Sequence, residues 1–477
     1  MSPTLDLDGT SLRASNVETV ARGGADVRVT DAGWERIAAA ADSARRLAGG
    51  PVYGRTTAVG ANKNAPATCG NGLRLLRSHA GGAGSPMPAD QARAMLAVRI
   101  NQLAAGGAGI HPRIVAALVQ ALNQRLIPPA RRIGAIGTGD LTALATTGLC
   151  LLGERPWQGG TMPPVAIDDA DALPLISSSA ATIGAAALAW CDADRLLRAM
   201  VTVAALSMAA VDASPEPFAA PVQAANPFPG QARVAALVRA LTAGWTPSVR
   251  RVQDSYAYRA LPQVHGTAFD AGDRLDAVLA VALNAAAENP LVDAAGPLHN
   301  GNFHTAALAA AADGLCAALA QTAALSVARL ASLVDPTTTG LRAFLAAGPE
   351  DSSGVMILEY VAHSALSDLR GQAGAAVAAA SGGVLSLGAE EHASYAPQSA
   401  TRLAAAVEAA SVVVACELVA ASRAVRQRGG QLPAPLAMAA ERFPANDEDR
   451  TLEPDLDTAL ALLPGLAEHT VHRPPGP

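Results

Sequence analysis

Apolar residues recur at intervals of three and four along most of the chain, which is the spacing that places them on one face of an α-helix. Several of the segments are longer than an ordinary globular helix, and their apolar residues lie almost all round the axis, as in helices buried in a bundle. The pattern predicts a mainly α fold: a long helical bundle with a smaller N-terminal lobe of loops and short helices. The predicted helices cover residues 32–48, 88–105, 111–125, 140–153, 178–211, 231–243, 269–288, 303–334, 355–380 and 399–428.

The remaining segments predict how the chain is divided. Residues 1–30 alternate short apolar and polar stretches, which predicts a minor strand or two before the helices begin. A Pro-rich stretch at 214–231 interrupts the helical pattern and indicates a boundary between two lobes of one fold. We therefore predict an N-terminal lobe over 1–215, a central helical bundle over 216–430 and a tail over 431–477 that packs poorly or wraps the surface.

Composition narrows the class of protein. Apolar residues make up 50% of the 477 positions but aromatic residues only 3%, so the core is built from Ala, Leu and Val, which favours packed helices. Charged residues are sparse, at 16%, mixed in sign and sum to −6, which excludes the basic surface typical of a nucleic-acid partner.

Membrane and secretory signals are also not expected. We find no uninterrupted apolar run of about 18 residues, because the best stretches are broken by Asp192, Asp313 or Glu417. The N-terminus lacks a basic and then apolar leader, and the five cysteines form no CxxC pair. We expect a reduced, cytoplasmic protein.

Four segments differ from the helical background, since they are Gly-rich or interrupted by polar residues and lie between long helices, where functional sites are common. They are YGRTTAVG (53–60), GAIGTGDLTALA (134–145), QDSYAYRALPQVHG (253–266) and NGNFH (300–304). The nine histidines show no HxH or HExxH spacing, so no metal site is predicted. His299 and His304 are expected to make ordinary backbone contacts.

Taken together these segments resemble the histidine and aromatic amino-acid ammonia-lyase family, over about residues 50–430. The matching residues are Tyr53, Gly54, Gln253, Asp254, Tyr256, Arg259, Pro262, Gln263, Gly266, Gly301, Asn302, Phe303 and His304. The resemblance implies an ammonia-lyase-like helical bundle that assembles as a homotetramer, with active sites drawing residues from more than one subunit.

The resemblance also implies roles for individual residues. Tyr53 would remove a β-proton, and Arg259 would grip the substrate carboxylate. The pocket walls would be formed by Tyr256, Gln253 and Phe303. We count Tyr256 among the candidate catalytic residues as well. The planar fork of arginine suits a bidentate grip on a carboxylate. A tyrosine is a poor base at its ordinary pKa of about 10 and needs a cation or hydrogen-bond donors nearby.

Lys63 is the one lysine among 35 basic residues and lies ten positions after Tyr53. It can supply the positive field that the tyrosine needs, and we include it among the candidate catalytic residues. The alternative is a solvated loop cation without a role in the reaction.

Two further positions indicate the substrate's side chain. His79 and Glu390 match the positions at which histidine-specific members contact the imidazole ring. A histidine and a carboxylate can bind both ring nitrogens, and an unpaired ring nitrogen in a buried pocket would be costly. The alternatives are a core histidine with satisfied hydrogen bonds and a surface Glu-Glu pair.

The segment that forms the family's electrophile differs from the family pattern in this chain. The methylidene-imidazolone group, MIO, forms from an internal Ala-Ser-Gly, where this chain has Gly137-Thr138-Gly139. The family asparagine that supports the group matches Ser177. Cyclisation at threonine would at best give a hindered ethylidene, so we expect neither MIO nor another cofactor.

A pocket for histidine without MIO suggests a different leaving group. MIO serves to make ammonia leave, whereas a trimethylammonio group is permanently cationic and departs as neutral trimethylamine once a β-carbanion forms. We therefore expect a histidine-derived betaine, hercynine or its 2-thio derivative ergothioneine, as in the trimethylamine-releasing relatives called ergothionases. Both a thione ring and a plain imidazole ring are compatible with this interpretation.

Three alternatives remain. The chain can be an ordinary histidine or aromatic amino-acid ammonia-lyase with a Thr-derived prosthetic group. It can catalyse an isomerisation, cyclisation or addition with the same tyrosine and arginine. It can also be a non-catalytic binding protein, although a scaffold would not need the tyrosine and arginine motifs.

Overall fold

The computed structural model describes residues 3–47, 50–249, 251–374 and 385–470. The described chain is mostly helical, which confirms the predicted fold class. Its helices are α1 (Ala14–Ala21), α2 (Asp31–Arg45), α3 (Asn71–His79), α4 (Ala89–Ala104), α5 (Pro112–Asn123), α6 (Leu141–Leu151), α7 (Asp169–Ile176), α8 (Ala180–Val211), α9 (Ala220–Ala225), α10 (Pro229–Leu241), α11 (Tyr256–Arg259), α12 (Leu261–Ala282), α13 (Ala306–Val334), α14 (Pro336–Thr339), α15 (Ile357–Ala373), α16 (Ala396–Arg428), α17 (Ala434–Ala440) and α18 (Glu453–Glu468). Short 3₁₀ turns lie at Gly60–Asn62, Glu216–Phe218, Ala343–Leu345 and Ser386–Gly388.

Each of the ten predicted segments contains a helix, mostly with ends within three residues of the prediction. The largest difference is α12, which begins at Leu261 instead of residue 269 because Pro262 occupies its first turn, where proline is tolerated. Residue 48 and residues 375–380, the ends of two predicted helices, lie outside the described residues.

Among the described residues, the strands form three separate two-stranded pairs: β1 (Thr4–Leu7) parallel to β2 (Asp26–Val29), β3 (Ala83–Pro86) antiparallel to β4 (Arg131–Ile133), and β5 (Leu291–Asp293) antiparallel to β6 (Gly296–Leu298). The first pair confirms the minor strands predicted before residue 30. In register, Leu5 faces Val27 and Leu7 faces Val29.

The C-terminal tail is better ordered than predicted. Helices α17 and α18 bury Leu436, Ala459, Leu463 and Leu466. The expectation of poor packing is wrong for these helices, because their apolar residues do recur at helical spacing while the acidic residues between them are mostly exposed. Residues 471–477 lie outside the described part of the chain.

The chain divides into two compact units, each made of three separated stretches. The first unit comprises residues 1–191, 275–313 and 375–401, and the second comprises 192–274, 314–374 and 402–477. These divisions do not coincide with the predicted boundaries at 215 and 430. The long helices α8, α12, α13 and α16 each include residues of both units, so a division by chain order could not find them.

Helix α4 forms the centre of the first unit's core. Every residue from Ala92 to Ala104 is buried, including Arg93, Arg99 and Asn101. Helices α1 and α5 pack against α4, and α3 packs against α6 and α7. The all-round apolar pattern of this segment therefore corresponds to burial on every side.

The second unit buries a charged network. The Arg329 side chain is 1% exposed and its guanidinium Nε lies 2.6 Å from the Glu417 carboxylate, which also accepts from Ser207 Oγ at 2.7 Å. A buried carboxylate with these partners has its charge and lone pairs satisfied.

In the part of the chain that the structure describes, three stretches are long and apolar enough to cross a membrane by length and composition alone: Asp169–Val211, Ala306–Val334 and Ala396–Arg428. The sequence prediction missed them because it ended each apolar run at a charged residue such as Glu417. In the folded chain 89%, 56% and 72% of their most apolar windows are buried inside the protein. Their apolar surfaces are thus largely used in packing.

Candidate active site

A cavity of about 1070 Å³ lies in the first unit, and all of its lining residues belong to that unit. Its walls come from the loop after α2, from α3, from the loop before α6, from the end of α7, and from residues 289–304 and 386–392. The predicted site residues that line it are Tyr53, Lys63, His79, Thr138, Gly139, Ser177, Phe303 and Glu390. The fold thus brings together residues more than 330 positions apart in the chain.

Tyr53 is held on the loop after α2. Its hydroxyl oxygen accepts a hydrogen bond from the Gly60 N–H at 2.8 Å, and its own N–H donates to His299 Nε2 at 3.3 Å. The next residue, Gly54, has φ +68°, and a Cβ there would lie 2.0 Å from the Leu173 side chain. Only glycine fits this close approach, which explains the Tyr-Gly pair of the motif.

The surroundings of Tyr53 raise the pKa of its hydroxyl above the ordinary value of 10.0, mainly through burial. The Gly60 N–H opposes this shift, and the nearby Glu390 carboxylate adds to it. The charge that acts on Tyr53 is thus the Glu390 carboxylate, and the predicted role of Lys63, an exposed part of the cavity wall, remains a prediction.

His79 ends helix α3 and reaches the cavity with a defined tautomer. Its Nδ1 lies 2.9 Å from the Leu75 carbonyl oxygen, which can only accept, so Nδ1 carries the hydrogen. In the neutral ring, Nε2 is then an acceptor. Ser78 Oγ lies 3.0 Å from the same Nδ1.

Glu390 belongs to a short turn that closes one side of the cavity. Its backbone pairs with Leu385 in both directions, at 2.8 and 3.3 Å. Ser386 Oγ, in the same turn, accepts from the Ala61 N–H at 2.8 Å and so joins this turn to the tyrosine loop. The Glu390 side chain is exposed to the cavity, as a residue that contacts a ligand must be.

The loop Gly137-Thr138-Gly139 is fixed by contacts with residues distant in sequence. The Gly137 carbonyl oxygen accepts from Thr305 Oγ1 and Ser394 Oγ, each at 3.1 Å, and from the Thr305 N–H at 3.3 Å. Gly137 itself is buried behind the cavity wall, whereas Thr138 and Gly139 line it.

After this loop, Asp140 anchors the start of α8. Its carboxylate accepts from the Thr182 N–H and the Thr182 hydroxyl, both at 2.7 Å. Complete burial nevertheless raises the pKa of Asp140 to about 6.

Ser177 lies just after α7, at the position of the family asparagine. Its hydroxyl oxygen accepts from the Asn289 N–H at 3.3 Å. The neighbouring Ser179 Oγ donates to the Phe303 carbonyl oxygen at 3.1 Å and so joins this segment to the NGNFH segment.

The residues of this loop do not fit an MIO group. Position 138 carries threonine in place of serine, and position 177 has no side-chain amide. Gly137 has φ +90°, and a Cβ added there, as in the family's alanine, would lie 1.9 Å from Ser394 Oγ. The site thus lacks the usual Ala-Ser-Gly precursor. In the observed packing it also has no room for the side chain of the alanine.

Gln253, Tyr256 and Arg259 belong to the second unit and are not among the cavity's lining residues. Tyr256 is 69% exposed, and the Arg259 guanidinium carbon lies 4.4 Å from its ring centroid, as in a cation–π pair. The buried Nε of Arg259 has no hydrogen-bond partner within the described chain. Their predicted roles in substrate binding remain predictions.

Sequence reasoning missed three histidines of the cavity wall. His299 accepts from the Tyr53 backbone, as expected for a backbone contact, but it lines the cavity as well. The expectation for His304 is wrong, because its Nε2 lies 2.9 Å from His392 Nδ1 and the two rings stack 5.1 Å apart. Burial and His392 lower the pKa of His304. The 88-residue separation of this pair explains why no local motif revealed it.

Among residues 3–47, 50–249, 251–374 and 385–470, no group of three or more His, Cys, Asp or Glu side chains is arranged to hold a metal ion.

Comparison with known proteins places this geometry in a family. The family model for aromatic amino acid lyase matches residues 12–444. The histidine ammonia-lyase of Anaeromyxobacter sp. (strain K) is 33% identical over 96% of this chain and 98% of its own.

Solved structures show the same fold. The histidine ammonia-lyase of Trypanosoma cruzi superposes with a TM-score of 0.90 at 26% identity, covering 98% of this chain and 96% of its own. An ergothionase from Treponema denticola, in complex with desmethyl-ergothioneine sulfonic acid, gives a TM-score of 0.90 at 24% identity over 97% and 99% of the two chains. At that identity the second likeness concerns the fold alone.

The fold and the cavity therefore define a helical carbon–nitrogen lyase of the ammonia-lyase kind. The chain belongs to the aromatic amino acid lyase family, as its match over nearly the whole length and its histidine ammonia-lyase relatives establish.

Proposed function

We propose that this family member eliminates trimethylamine from a histidine-derived betaine, ergothioneine or hercynine, to give a urocanate-type acrylate without an MIO group. One observation carries the proposal: Tyr53, His79 and Glu390 line one cavity beside an altered loop at Thr138 and an altered support at Ser177. The groups for an imidazole-type substrate and for proton removal are retained, while those that make an amine leave are not.

The first step is binding of the ring. His79 Nε2 is an acceptor in the neutral ring, because Nδ1 donates to Leu75, and the ionised Glu390 carboxylate is also an acceptor. Two acceptors favour a ring with an N–H at both nitrogens. The thione form of ergothioneine has this pattern, whereas a neutral plain imidazole carries one N–H, so we propose the thione as the preferred substrate.

The second step is elimination. Tyr53, as phenolate, takes the β-proton, and the C–H electron pair forms the Cα–Cβ double bond as the Cα–N bond breaks. Trimethylamine leaves neutral with the bonding pair and needs no proton. The ring stabilises negative charge at the β-carbon, and the Gly60 N–H stabilises the phenolate oxygen that begins the step.

The positive charge of the substrate also assists the base. Burial and Glu390 raise the pKa of Tyr53 in the free chain. A quaternary ammonium bound in the same cavity neutralises the effect of the carboxylate and lowers this pKa. The quaternary ammonium group of a betaine thus helps to generate the phenolate that reacts with it, which a neutral amine would not do.

We assign the carboxylate grip to a second copy of the chain. We propose a homotetramer in which Arg259, Tyr256 and Gln253 of one subunit complete the cavity of another. The exposed ring of Tyr256 supports this role.

Helix α13 offers a surface for the same assembly. Small residues follow one largely exposed face at alternating intervals of three and four, as on helices that approach closely. They are Ala307, Ala310, Gly314, Ala317, Ala324, Ala328 and Ala331, with Gln321 among them. We further propose that the enzyme works in the cytoplasm on a small amino-acid-like molecule, with no nucleic-acid or membrane partner.

The test is incubation of pure protein with ergothioneine, hercynine and histidine in parallel, with trimethylamine, ammonia and the acrylate chromophore measured in each. We expect trimethylamine and acrylate from a betaine. Ammonia from histidine, with no trimethylamine from either betaine, would overturn the proposal.

One observation favours a second candidate, an ammonia-lyase with a Thr-derived prosthetic group. Cyclisation of the loop requires the Gly139 amide nitrogen to attack the Gly137 carbonyl carbon, and the three donors on that carbonyl oxygen would favour the attack. Intact-protein mass separates the two candidates, because a cyclised loop is lighter by two water molecules.

A further inference from the structure

A buried ion pair lies behind the cavity wall of the first unit. Arg99 on α4 and Glu288 have side chains that are 1% and 2% exposed. Arg99 Nη1 lies 2.8 Å and Nη2 3.4 Å from the two carboxylate oxygens of Glu288. Neither residue lines the cavity, and the proposed reaction uses neither.

On one side the pair holds the end of α7. Arg99 Nε donates to the Leu175 carbonyl oxygen at 3.2 Å, and Nη2 donates to that of Pro174. The last carbonyl groups of a helix lack partners within it, so a buried arginine here satisfies oxygens that would otherwise be orphaned. The residues that follow directly, Ile176, Ser177 and Ser178, line the cavity.

On the other side the pair holds the segment 288–300. The Glu288 backbone carbonyl accepts from Asn300 Nδ2 at 2.8 Å, and the Asn300 N–H donates to Asn289 Oδ1 at 3.1 Å. The Asn289 N–H donates to Ser177 Oγ, and this bond connects segment 288–300 to the end of α7. Asn289, Asn300 and Ser177 all line the cavity.

These contacts form a closed circuit from Arg99 through α7, Ser177 and Asn289 to Glu288 and back to Arg99. We propose that Arg99 and Glu288 are positioning residues that fix the place where these two segments of the cavity wall meet. As a role in catalysis, this inference rests on the proposed function of the cavity.

The charge of the pair and the donors of Arg99 can be separated experimentally. The variant Arg99→Met leaves Glu288 buried without its partner, which destabilises the fold strongly. The double variant Arg99→Met/Glu288→Met removes both charges, and such replacements of buried ion pairs are often neutral for stability. Both variants lack the donors to Leu175 and Pro174.

Arg93 supplies a matched control on the same helix. It is also buried, and within the described residues its donors bind backbone carbonyls away from the cavity, those of Val20, Ala21 and Leu122. The variant Arg93→Met therefore removes a buried arginine of α4 without touching the wall.

The experiment combines amide hydrogen exchange with kinetics well below the unfolding temperature. In the double variant we expect faster exchange in residues 174–178 and 288–300 and a kcat/KM lowered by about tenfold or more, even though its Tm recovers relative to Arg99→Met. Arg93→Met should leave both readouts at the wild-type value.

Unchanged exchange in both wall segments of the double variant, or a kcat/KM that recovers together with Tm, would overturn the positioning role. Equal effects of Arg93→Met would do the same. If the wild-type protein converts none of ergothioneine, hercynine and histidine, the proposed function fails, while the exchange comparison still decides whether the pair holds the wall.

Discussion

At the scale of single residues, Tyr53 is the side chain whose state decides the proposed reaction. Its pKa lies above 10.0 in the free chain, because burial and Glu390 disfavour the phenolate. We predict that kcat/KM, which reports the free enzyme, keeps rising with pH beyond 10. For a betaine, kcat should reach its plateau at lower pH, since the quaternary ammonium group bound near Tyr53 lowers the pKa of its hydroxyl.

The measurement is a pair of pH–rate profiles, with Tyr53→Phe as the control. Tyr53→Phe should abolish turnover while ligand-induced stabilisation of the protein persists. Coincident profiles for kcat and kcat/KM would show that the substrate's charge does not reach the base.

His79 permits a separate residue-scale prediction. Replacing it with leucine removes the ring acceptor, and we expect kcat/KM for ergothioneine to fall roughly ten- to a hundredfold. The neighbouring Ser78→Ala is the matched control, because the Leu75 carbonyl, 2.9 Å from Nδ1, still fixes the tautomer. A preference for hercynine over ergothioneine in the wild-type protein, or an equal loss in both variants, would contradict the assigned acceptor role.

At the scale of elements, the loop before α6 shows what local sequence can and cannot predict. Its departure from Ala-Ser-Gly is visible in the sequence, but the contacts that hold it come from residues 305 and 394–398, more than 160 positions away. Because a Cβ at Gly137 would meet Ser394 Oγ at 1.9 Å, restoring the motif alone should not restore the prosthetic group.

We therefore predict that Gly137→Ala/Thr138→Ser/Ser177→Asn keeps its unmodified mass, since turning Ser394 away would break its hydrogen bond to the Gly137 carbonyl oxygen. Adding Ser394→Gly removes the 1.9 Å contact and leaves the Tyr395 backbone nitrogen, at 3.0 Å, as the nearest atom to the added Cβ. This variant should allow loss of two water molecules, which intact-protein mass detects. Loss of two waters in the first variant would show that Ser394 is no obstacle.

Asp140 links the same loop to stability. A carboxyl whose folded-state pKa is about 6, against 3.8 in the ordinary group, binds more protons folded than unfolded between these values. This group therefore makes the protein less stable as pH rises from about 4 to 6, by about 3 kcal/mol in all. In Asp140→Asn, the free energy of unfolding, measured by denaturant unfolding, should not show this fall between about pH 4 and 6. An unchanged pH dependence would contradict the burial argument.

At the scale of the whole molecule, periodicity predicted the long helices because their apolar residues follow the helical repeat, as in the fully buried α4. The tyrosine, histidine and glutamate of the cavity could be predicted because each lies in a short motif. Two other pairs could not be predicted from the sequence, because only folding brings their residues together: Arg99 and Glu288, which are 189 residues apart, and His304 and His392. The division into two compact units could not be predicted either, because four helices include residues of both units.

Assembly belongs to the same scale. A charge on the small-residue face of α13, in Ala317→Arg, should prevent close helix approach and reduce both the oligomer size and the turnover, if subunits share sites. Ala461→Arg, at an exposed alanine of α18, is the control and should change neither. Light scattering during gel filtration measures the size, and a fully active variant of reduced size would contradict shared sites.

The proposed reaction is defined by the amine that leaves, trimethylamine, and by its expulsion without a prosthetic electrophile. The most direct measurement is the amount of trimethylamine formed per acrylate from ergothioneine by wild-type protein whose intact mass equals that of the unmodified chain. We expect one trimethylamine per acrylate and no ammonia. Ammonia release from histidine by a chain lighter by two waters, with no trimethylamine from either betaine, would contradict it.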